Sequence, residues 1–301
     1  MINTVNEWSS LKKVLIGTAT DANWPVSDPI FDQELNKHNM SLRGPVSQRV
    51  IEEINQDLDC LAAKLISHGI EVVRPQPLNF QTHDGMHCVT PRDRLLIYGS
   101  TIIDTVTLFE SRNMESQCYY DVLQSASKWL VMSRDQGMIL DAANVLKLND
   151  QMLYLDSVSG NNQAYQWLCK QFPDTVIERC NFYQGMHLNS TVMPLREGLV
   201  MLNASRVRFD SVPRVFDGWH KIWINSVTDS GPYVSPWASK WTALSVLVID
   251  PHTVIVDQTQ TDLIKMLKSY RFEVIPMQLR HSGLFGCGFH SVTLDLVRQS
   301  S

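Results

Sequence analysis

Two side chains in the middle of the chain have the character of an acid–base pair. Asp141 lies between the apolar residues Leu140 and Ala142, and His187 comes just before an apolar strand. A buried carboxylate needs a partner, which a guanidinium or an imidazolium would supply. Because a histidine titrates near neutrality, His187 is a candidate for proton transfer. A buried, hydrogen-bonded histidine is the ordinary structural alternative.

A glycine-rich turn near the carboxyl end presents a hydroxyl group where a nucleophile could stand. The stretch GCGFHSVT occupies positions 286–293, with Ser291 as its sixth residue. A thiol is partly ionised near neutrality and is strongly nucleophilic, whereas a hydroxyl needs activation by an adjacent base. Ser291 is therefore predicted to be a weak nucleophile unless a base lies against it.

One short segment is rich in potential metal ligands. His83, Asp84, His87 and Cys88 fall within six residues, and these side-chain types all bind transition metals. No downstream pair of residues has ligand spacing, however. We interpret the segment as a polar loop over the mouth of a pocket, and we expect neither a metal nor a cofactor.

The elements that must position these residues recur along the chain. Four pairs of short apolar, often β-branched runs are each joined by a tight polar turn, which is typical of β-hairpins. After three of these hairpins, a segment with helical apolar spacing leads to another apolar run, and one of these segments is 115–129. After the hairpin at 191–202 the connection is irregular. The four hairpins lie at 95–103, 145–155, 191–202 and 246–256.

The start of the chain contains a fifth, partial copy of this unit. It consists of an apolar run at 14–17, a long helix over 46–65 that Gly69 ends, and a second run at 70–73. If the final strand around 294–296 pairs beside the first, the copy becomes complete and the ring closes. Five ββαβ units at roughly fifty-residue intervals predict a repeat architecture around a central axis. A doubly wound sheet is the alternative.

Composition excludes several classes of protein. The 301 residues are 44% hydrophobic and 19% charged, with a formal net charge of −5, so there is no electrostatic reason to expect nucleic acid or anionic lipid as a partner. No apolar run is long enough to cross a membrane, and the amino terminus lacks signal-peptide features, which predicts a cytoplasmic location. The six cysteines lie far apart, so no disulfide framework is predicted.

Seven motifs give the chain a resemblance to a known family. They span nearly the whole sequence in the family's order: NEWSSLKKVLIG at 6–17, PRD at 91–93, LDAAN at 140–144, MHLN at 186–189, NASR at 203–206, WASKW at 237–241 and the glycine-rich turn at 286–293. The chain resembles the amidinotransferases and other guanidine-modifying enzymes. The resemblance implies a single α/β domain over residues 1–301 with the five-bladed α/β-propeller of the amidinotransferase/pentein fold. It also implies L-arginine as donor, an amine as acceptor, and a homodimer as the frequent assembly.

The resemblance also implies a role for each motif. In this family a thiolate attacks the guanidinium carbon, the amine of ornithine departs, and an amidino-cysteine intermediate waits for the acceptor amine. Ser291 would stand at the nucleophile position, His187 would be the acid and base, and Asp141 would be the catalytic aspartate. The expected substrate-binding residues are Asp93 for the guanidinium, Arg206 for the α-carboxylate, and Met186, Asn189 and Ser239 as further contacts.

Two positions depart from the family pattern. Asn189 stands where relatives most like glycine amidinotransferase carry a second guanidinium-binding aspartate, and Ser291 stands at the position of the catalytic cysteine. Three explanations of Ser291 remain open: an engineered change that traps a bound substrate, a natural loss that leaves a guanidine-binding pseudoenzyme, or a transfer of the role to Cys287. We favour the first because His187 and Asp141 are retained, and an inert site has no evident need for them.

The predicted function is amidino transfer from L-arginine to an amine, in a form that Ser291 leaves inactive or impaired. Hydrolysis of the guanidine group, as in arginine deiminase-like and dihydrolase relatives, is an alternative. Non-catalytic binding of a guanidino compound is another. Transfer is favoured because the motifs at 91–93 and 186–187 resemble the amidinotransferases more closely.

Overall fold

The structure is a computed structural model that describes residues 2–182 and 185–299. Within these residues, five three-stranded sheets share one pattern, in which the middle strand pairs antiparallel with one neighbour and parallel with the other. Four of these sheets are each built from three strands that are consecutive in the sequence. Their strands are β5 (Leu95–Tyr98), β6 (Thr101–Asp104) and β7 (Lys128–Val131); β8 (Val145–Leu148), β9 (Gln151–Leu155) and β10 (Val176–Cys180); β11 (Val192–Arg196), β12 (Leu199–Asn203) and β13 (His220–Ile224); β14 (Leu247–Asp250), β15 (Thr253–Asp257) and β16 (Glu273–Met277).

The fifth sheet joins the two ends of the chain. Strand β1 (Ser10–Ile16) pairs antiparallel with β17 (Thr293–Gln299) and parallel with β4 (Glu71–Val73). The prediction that the final strand completes the partial first copy is therefore confirmed. A doubly wound sheet is excluded for the described residues, because none of their sheets has more than three strands. Two short strands, β2 (Asn23–Trp24) and β3 (Gly44–Pro45), form a separate pair.

The connecting segments follow the sequence pattern less closely. Segment 115–129 contains two short helices instead of one, because Tyr119 leaves helical geometry (φ −108°, ψ 11°) with its side chain buried. The predicted irregular connection after β12 is confirmed, since it holds only 3₁₀ turns. No described helix is long and apolar enough to cross a bilayer. The α-helices are α1 (Pro29–Lys37), α2 (Gln48–Ser67), α3 (Pro91–Arg94), α4 (Glu115–Cys118), α5 (Tyr120–Gln124), α6 (Asn162–Gln171), α7 (Thr261–Ser269) and α8 (Ser282–Phe285).

The two strands of each hairpin are largely buried on both faces. All residues of β8 and β12 are buried, which explains why the hairpins read as continuous apolar runs and not as alternating ones. Removing each Leu or Val side chain from water contributes about 1.5–3 kcal/mol. The sheets therefore form rigid supports for the segments that lead into them.

Candidate active site

Every unit carries one turn of helix or a tight turn immediately before its first strand. In the unit that begins with β5 this turn is α3. In the next three units it is a 3₁₀ turn, at Ala142–Asn144, Leu188–Ser190 and Lys240–Leu244. In the unit that closes the chain, the N–H groups of Ser291 and Val292 donate to the Gly288 carbonyl at 3.0 and 3.1 Å. Asp93, Asp141, His187 and Ser291 all lie in or directly beside these turns. The repeat therefore gives residues two hundred positions apart equivalent places in the fold.

Three of these residues meet directly. His187 Nε2 lies 2.9 Å from Asp141 Oδ2, and His187 Nδ1 lies 3.6 Å from Asp93 Oδ1. The backbone N–H of Leu108 donates to Asp141 Oδ1 at 2.9 Å, which fixes the orientation of that carboxylate. The structure thus places an imidazole between two carboxylates and brings together Asp93, Asp141 and His187.

The backbone of His187 is held in an unfavourable conformation. Its φ of 65° and ψ of 128° lie outside the regions that non-glycine residues favour. Such a conformation costs on the order of 1–3 kcal/mol and persists only where the surroundings enforce it. Here the His187 N–H donates to Asn144 Oδ1 at 3.0 Å. The fold therefore gives up local stability to fix the position of this imidazole.

The charges around His187 favour its protonated form. Burial opposes the charged imidazolium, but the carboxylates of Asp93 and Asp141 outweigh burial and raise the pKa of His187. Burial likewise acts to raise the pKa of Asp93, but the neighbouring cations His187 and Arg112 outweigh it and lower that pKa. A protonated histidine beside ionised carboxylates is able to give a proton to a departing amine.

One carboxylate oxygen of Asp93 is hydrogen-bonded within the protein, and the other is not. Its Oδ2 accepts a hydrogen bond from Arg112 Nη1 at 3.0 Å, and Arg112 Nε donates to Glu115 Oε1 at 2.7 Å. Asp93 Oδ1 is buried and has no hydrogen-bond partner among the described residues. The sequence did not identify Arg112 as a residue of the site. Its only signal was the three-residue spacing between Arg112 and Glu115, which is typical of an ion pair on a helix. The open oxygen of Asp93 is suited to a cation that carries N–H groups.

Asp93 lines a small inner cavity that adjoins a larger outer cleft. The inner cavity has a volume of about 20 Å³, which is room for about one water molecule. Met186 and Trp237 line both this cavity and the outer cleft of about 410 Å³, which also holds Arg206 and Ser239. A guanidinium would enter only as these shared walls move, and the unbranched Met186 side chain adapts readily. The inner cavity is lined by Asp93, Asp141, His187, Phe109, Phe285 and Trp237 among others.

Arg206 is positioned by the turn before β11. Its Nη1 donates to Ser190 Oγ and Thr191 Oγ1, both at 2.9 Å. Its guanidinium borders the outer cleft and not the inner cavity. Arg206 therefore lies where it could meet the far end of a ligand whose other end occupies the inner cavity.

Ser291 is buried and lies in a hydrogen-bond cluster with Asn189 and Ser245. Asn189 Nδ2 donates to Ser291 Oγ at 3.1 Å, and Ser245 Oγ lies 3.2 Å from the same oxygen. The Asn189 amide also reaches His290 Nδ1 at 3.1 Å, and burial together with the Arg92 charge lowers the pKa of His290 to about 4. Asn189 thus borders the nucleophile position and not the inner cavity. No described carboxylate or imidazole lies within hydrogen-bond distance of the Ser291 hydroxyl, so this hydroxyl has no adjacent base.

Cys287 does not offer a replacement nucleophile. Its side chain is fully buried in the hydrophobic core. Burial raises the pKa of the Cys287 thiol, and the negative charge of Asp93 raises it further. Because the thiolate is the reactive form, the structure argues against the transfer of the catalytic role to Cys287.

The segment with potential metal ligands is divided between two environments. Asp84 accepts hydrogen bonds from the N–H groups of Val26 and Ser27 at 2.7 and 2.9 Å, whereas His87 lines the inner cavity. Among residues 2–182 and 185–299, no group of three or more His, Cys, Asp or Glu side chains is placed to hold a metal ion. The segment therefore contributes one wall of the cavity.

The glycine at the start of the carboxyl-terminal turn is required by the approach of Trp237. Gly286 has φ +64°, and a Cβ atom there would lie 2.2 Å from Trp237 Cδ1. Gly99 offers a matched control, because it has φ +57° and nothing within 4 Å of its Cβ position. The two positions share the backbone requirement but differ in the contact.

We expect Gly286→Ala to destabilise the protein more than Gly99→Ala. Both substitutions cost about 1–2 kcal/mol for the left-handed backbone, and only the first must also displace Trp237, which adds about 1–3 kcal/mol. Urea unfolding of both variants measures the difference in the free energy of unfolding. Equal losses of stability would show that Trp237 does not depend on Gly286.

The chain is similar to known amidinotransferases over nearly its whole length. No family model matches the chain. Inosamine-phosphate amidinotransferase 1 of Streptomyces griseus is 34% identical, and the match covers 99% of this chain and 97% of that protein. The L-arginine:L-lysine amidinotransferase of Pseudomonas savastanoi pv. phaseolicola is 26% identical, over 97% of this chain and 93% of that protein. The solved structure of the S. griseus enzyme has a TM-score of 0.92 at 33% identity and covers 100% of this chain and 98% of that chain. This protein has the amidinotransferase/pentein fold and belongs to the amidinotransferase family.

Proposed function

We propose that the site binds the guanidinium group of L-arginine for amidino transfer to an amine, and that Ser291 leaves this form of the chain inactive or impaired. One observation carries the proposal. The buried Asp93 Oδ1 has no hydrogen-bond partner among the described residues, and Asp93 lines a cavity together with His187 and Asp141. An ionised carboxylate in such a place stabilises a cation that donates N–H groups.

The proposed binding mode uses both the inner cavity and the adjoining outer cleft. The guanidinium lies in the inner cavity against Asp93, and the aliphatic part of the donor passes between Met186 and Trp237. The α-carboxylate then reaches Arg206 in the outer cleft, beside Ser239. L-arginine as donor is also supported by the name of the Pseudomonas relative.

The chemistry requires a thiolate at position 291. In the proposed reaction the sulfur forms a bond to the guanidinium carbon, the bond from that carbon to the side-chain nitrogen of ornithine breaks, and His187 gives its proton to the departing nitrogen. The acceptor amine then bonds to the amidino carbon, loses a proton to His187, and releases the thiolate. Covalent catalysis of this kind divides one difficult displacement into two easier ones.

Ser291 supports a second candidate, non-catalytic binding of a guanidino compound. Its hydroxyl contacts only an amide donor and another hydroxyl among the described residues. A resonance-stabilised guanidinium is a poor target for such a group. The binding site is the same in both candidates, so binding and turnover must be measured separately.

We expect calorimetry to show that the unaltered protein binds L-arginine and that Asp93→Asn weakens this binding about 10- to 100-fold. Loss of one charge-assisted hydrogen bond to a cation accounts for a change of that size. Asp104→Asn is the matched control, since Asp104 is also buried and also pairs with an arginine, Arg94, at 2.7 Å, but lies outside the cavity. If neither the unaltered protein nor a form with cysteine at position 291 binds any guanidino compound, the proposal is wrong.

A further inference from the structure

A second buried polar atom without a hydrogen-bond partner belongs to a residue that lines the inner cavity. His87 is 3% exposed and lines the cavity, and its Nδ1 makes no hydrogen bond to any residue that the structure describes. Asp93, which lines the same cavity, also has a buried atom without a hydrogen bond, its Oδ1. We propose that His87 is a ligand-binding residue of this site, which accepts an N–H of the bound guanidino group as a second partner beside Asp93. The inference rests on the proposed function.

The surroundings of His87 hold its ring and leave Nδ1 without a hydrogen bond among the described residues. Its ring packs edge-to-face against Trp24 and Phe285, with centroid distances of 5.6 and 5.1 Å. These contacts hold the imidazole in place, and neither ring is hydrogen-bonded to His87. His87 is therefore oriented in advance, as a binding residue must be to contribute affinity.

The imidazole of His87 is neutral and has a free lone pair. Burial, assisted by the positive charge of Arg112, lowers the pKa of His87 to about 3. A neutral imidazole carries one N–H and one acceptor nitrogen. The nearby Arg112 does not satisfy that acceptor, because its guanidinium donates to Asp93, Glu115 and the backbone and side chain of Thr90. A ligand N–H is the donor that we assign to this nitrogen.

The cavity selects the chemical class of that donor. Two acceptors, Asp93 and His87, require a ligand with N–H groups on more than one edge, and the negative charges of Asp93 and Asp141 require a cation. Aromatic side chains on the wall, Phe109 and Trp237, suit a flat cation. A substituted guanidinium, with five N–H donors in one plane, meets all three requirements. An anionic ligand fails the charge requirement.

The test compares two replacements of His87 in the whole protein. His87→Phe keeps a flat ring for Trp24 and Phe285 but removes the lone pair, whereas His87→Asn restores an acceptor oxygen. We expect calorimetric titration with L-arginine to show about tenfold weaker binding for His87→Phe, the effect of one hydrogen bond. His87→Asn should bind within about threefold of the unaltered protein. L-norleucine, which lacks the guanidino group, should not distinguish the three proteins.

The possible outcomes separate this inference from the proposed function. If His87→Phe binds L-arginine as tightly as the unaltered protein while Asp93→Asn loses affinity, His87 is not a ligand contact and the proposed function stands. If no form binds L-arginine, both fail. Nuclear magnetic resonance of the unaltered protein labelled with ¹⁵N-histidine provides a test that does not depend on folding of the Phe variant. The ring nitrogen signals of His87, assigned with His87→Asn, should shift when L-arginine is added, and an unchanged signal at saturation would overturn the inference.

Discussion

Replacing Ser291 with cysteine is expected to raise the rate of arginine consumption in the presence of an amine by a factor on the order of a thousand or more. The other groups of the site are already in position: His187 lies between Asp93 and Asp141. The N–H of Asn189 that now donates to Ser291 Oγ at 3.1 Å would donate to the sulfur instead. Such a donor stabilises a thiolate, whereas a hydroxyl without an adjacent base stays protonated.

The measurement is the release of ornithine together with a new guanidino compound from a panel of amines. Ser245→Cys is the matched control, because its hydroxyl lies 3.2 Å from that of Ser291 and a thiol there enters the same buried cluster at the wrong position. We expect no turnover from it. Cys287→Ser, added to Ser291→Cys, should leave the restored activity intact, since the Cys287 thiol is buried away from the cavity.

Each other result has a distinct meaning. Citrulline or ammonia as product would identify hydrolysis. Tight binding of L-arginine without turnover in the Ser291→Cys protein would identify a non-catalytic binder. Activity of the unaltered chain that Cys287→Ser abolishes would restore Cys287 as the nucleophile, against the burial of its thiol.

The fold was predictable where the pattern is local. Hairpins such as β14 and β15 are short apolar runs around a polar turn, and strand pairing of this kind depends on neighbours in the sequence. The pairing of β1 with β17 is not local, but it followed from the count of units, because the first copy lacked one strand. The break between α4 and α5 was not predictable, since it depends on the burial of Tyr119 against residues far away in the chain.

The site was predictable only where motifs carried it. The structure brings Asp93, Asp141 and His187 together, while their roles remain proposals. Asn189 was expected to contact substrate, yet its amide is shared between His290 and Ser291. The sequence placed His87 in a polar loop over a pocket and offered only the spacing from Glu115 for Arg112, and neither signal indicated that these two side chains are buried. Their burial results from the packing of segments from different units around one cavity, which spacing along the chain does not encode.

Asp141→Asn, made in the Ser291→Cys protein, is expected to lower kcat by a factor on the order of 10³–10⁴. Asp141 holds His187 through the 2.9 Å contact at Nε2, and its own carboxylate is fixed by the Leu108 N–H. An amide in its place keeps the shape but removes the charge that stabilises the imidazolium. Turnover would then fall because the departing amine no longer receives its proton.

The pH dependence of kcat provides a second readout for the same variant. The pKa of His187 is raised, because the carboxylates of Asp93 and Asp141 outweigh burial. When one of these charges is removed, less negative charge opposes the effect of burial, and the pKa of His187 falls. The protonated form is then lost at a lower pH, so the limb of the profile that reports the imidazolium should move toward acid.

Asp104→Asn in the same Ser291→Cys background serves as the control for general effects of losing a buried carboxylate. Its pairing with Arg94 lies outside the cavity, so it should alter stability without moving the pH profile. If Asp141→Asn lowers kcat but leaves the profile in place, Asp141 orients His187 without setting its charge. If kcat is unchanged, proton transfer does not depend on this pair, and the acid must be sought among the other groups of the inner cavity.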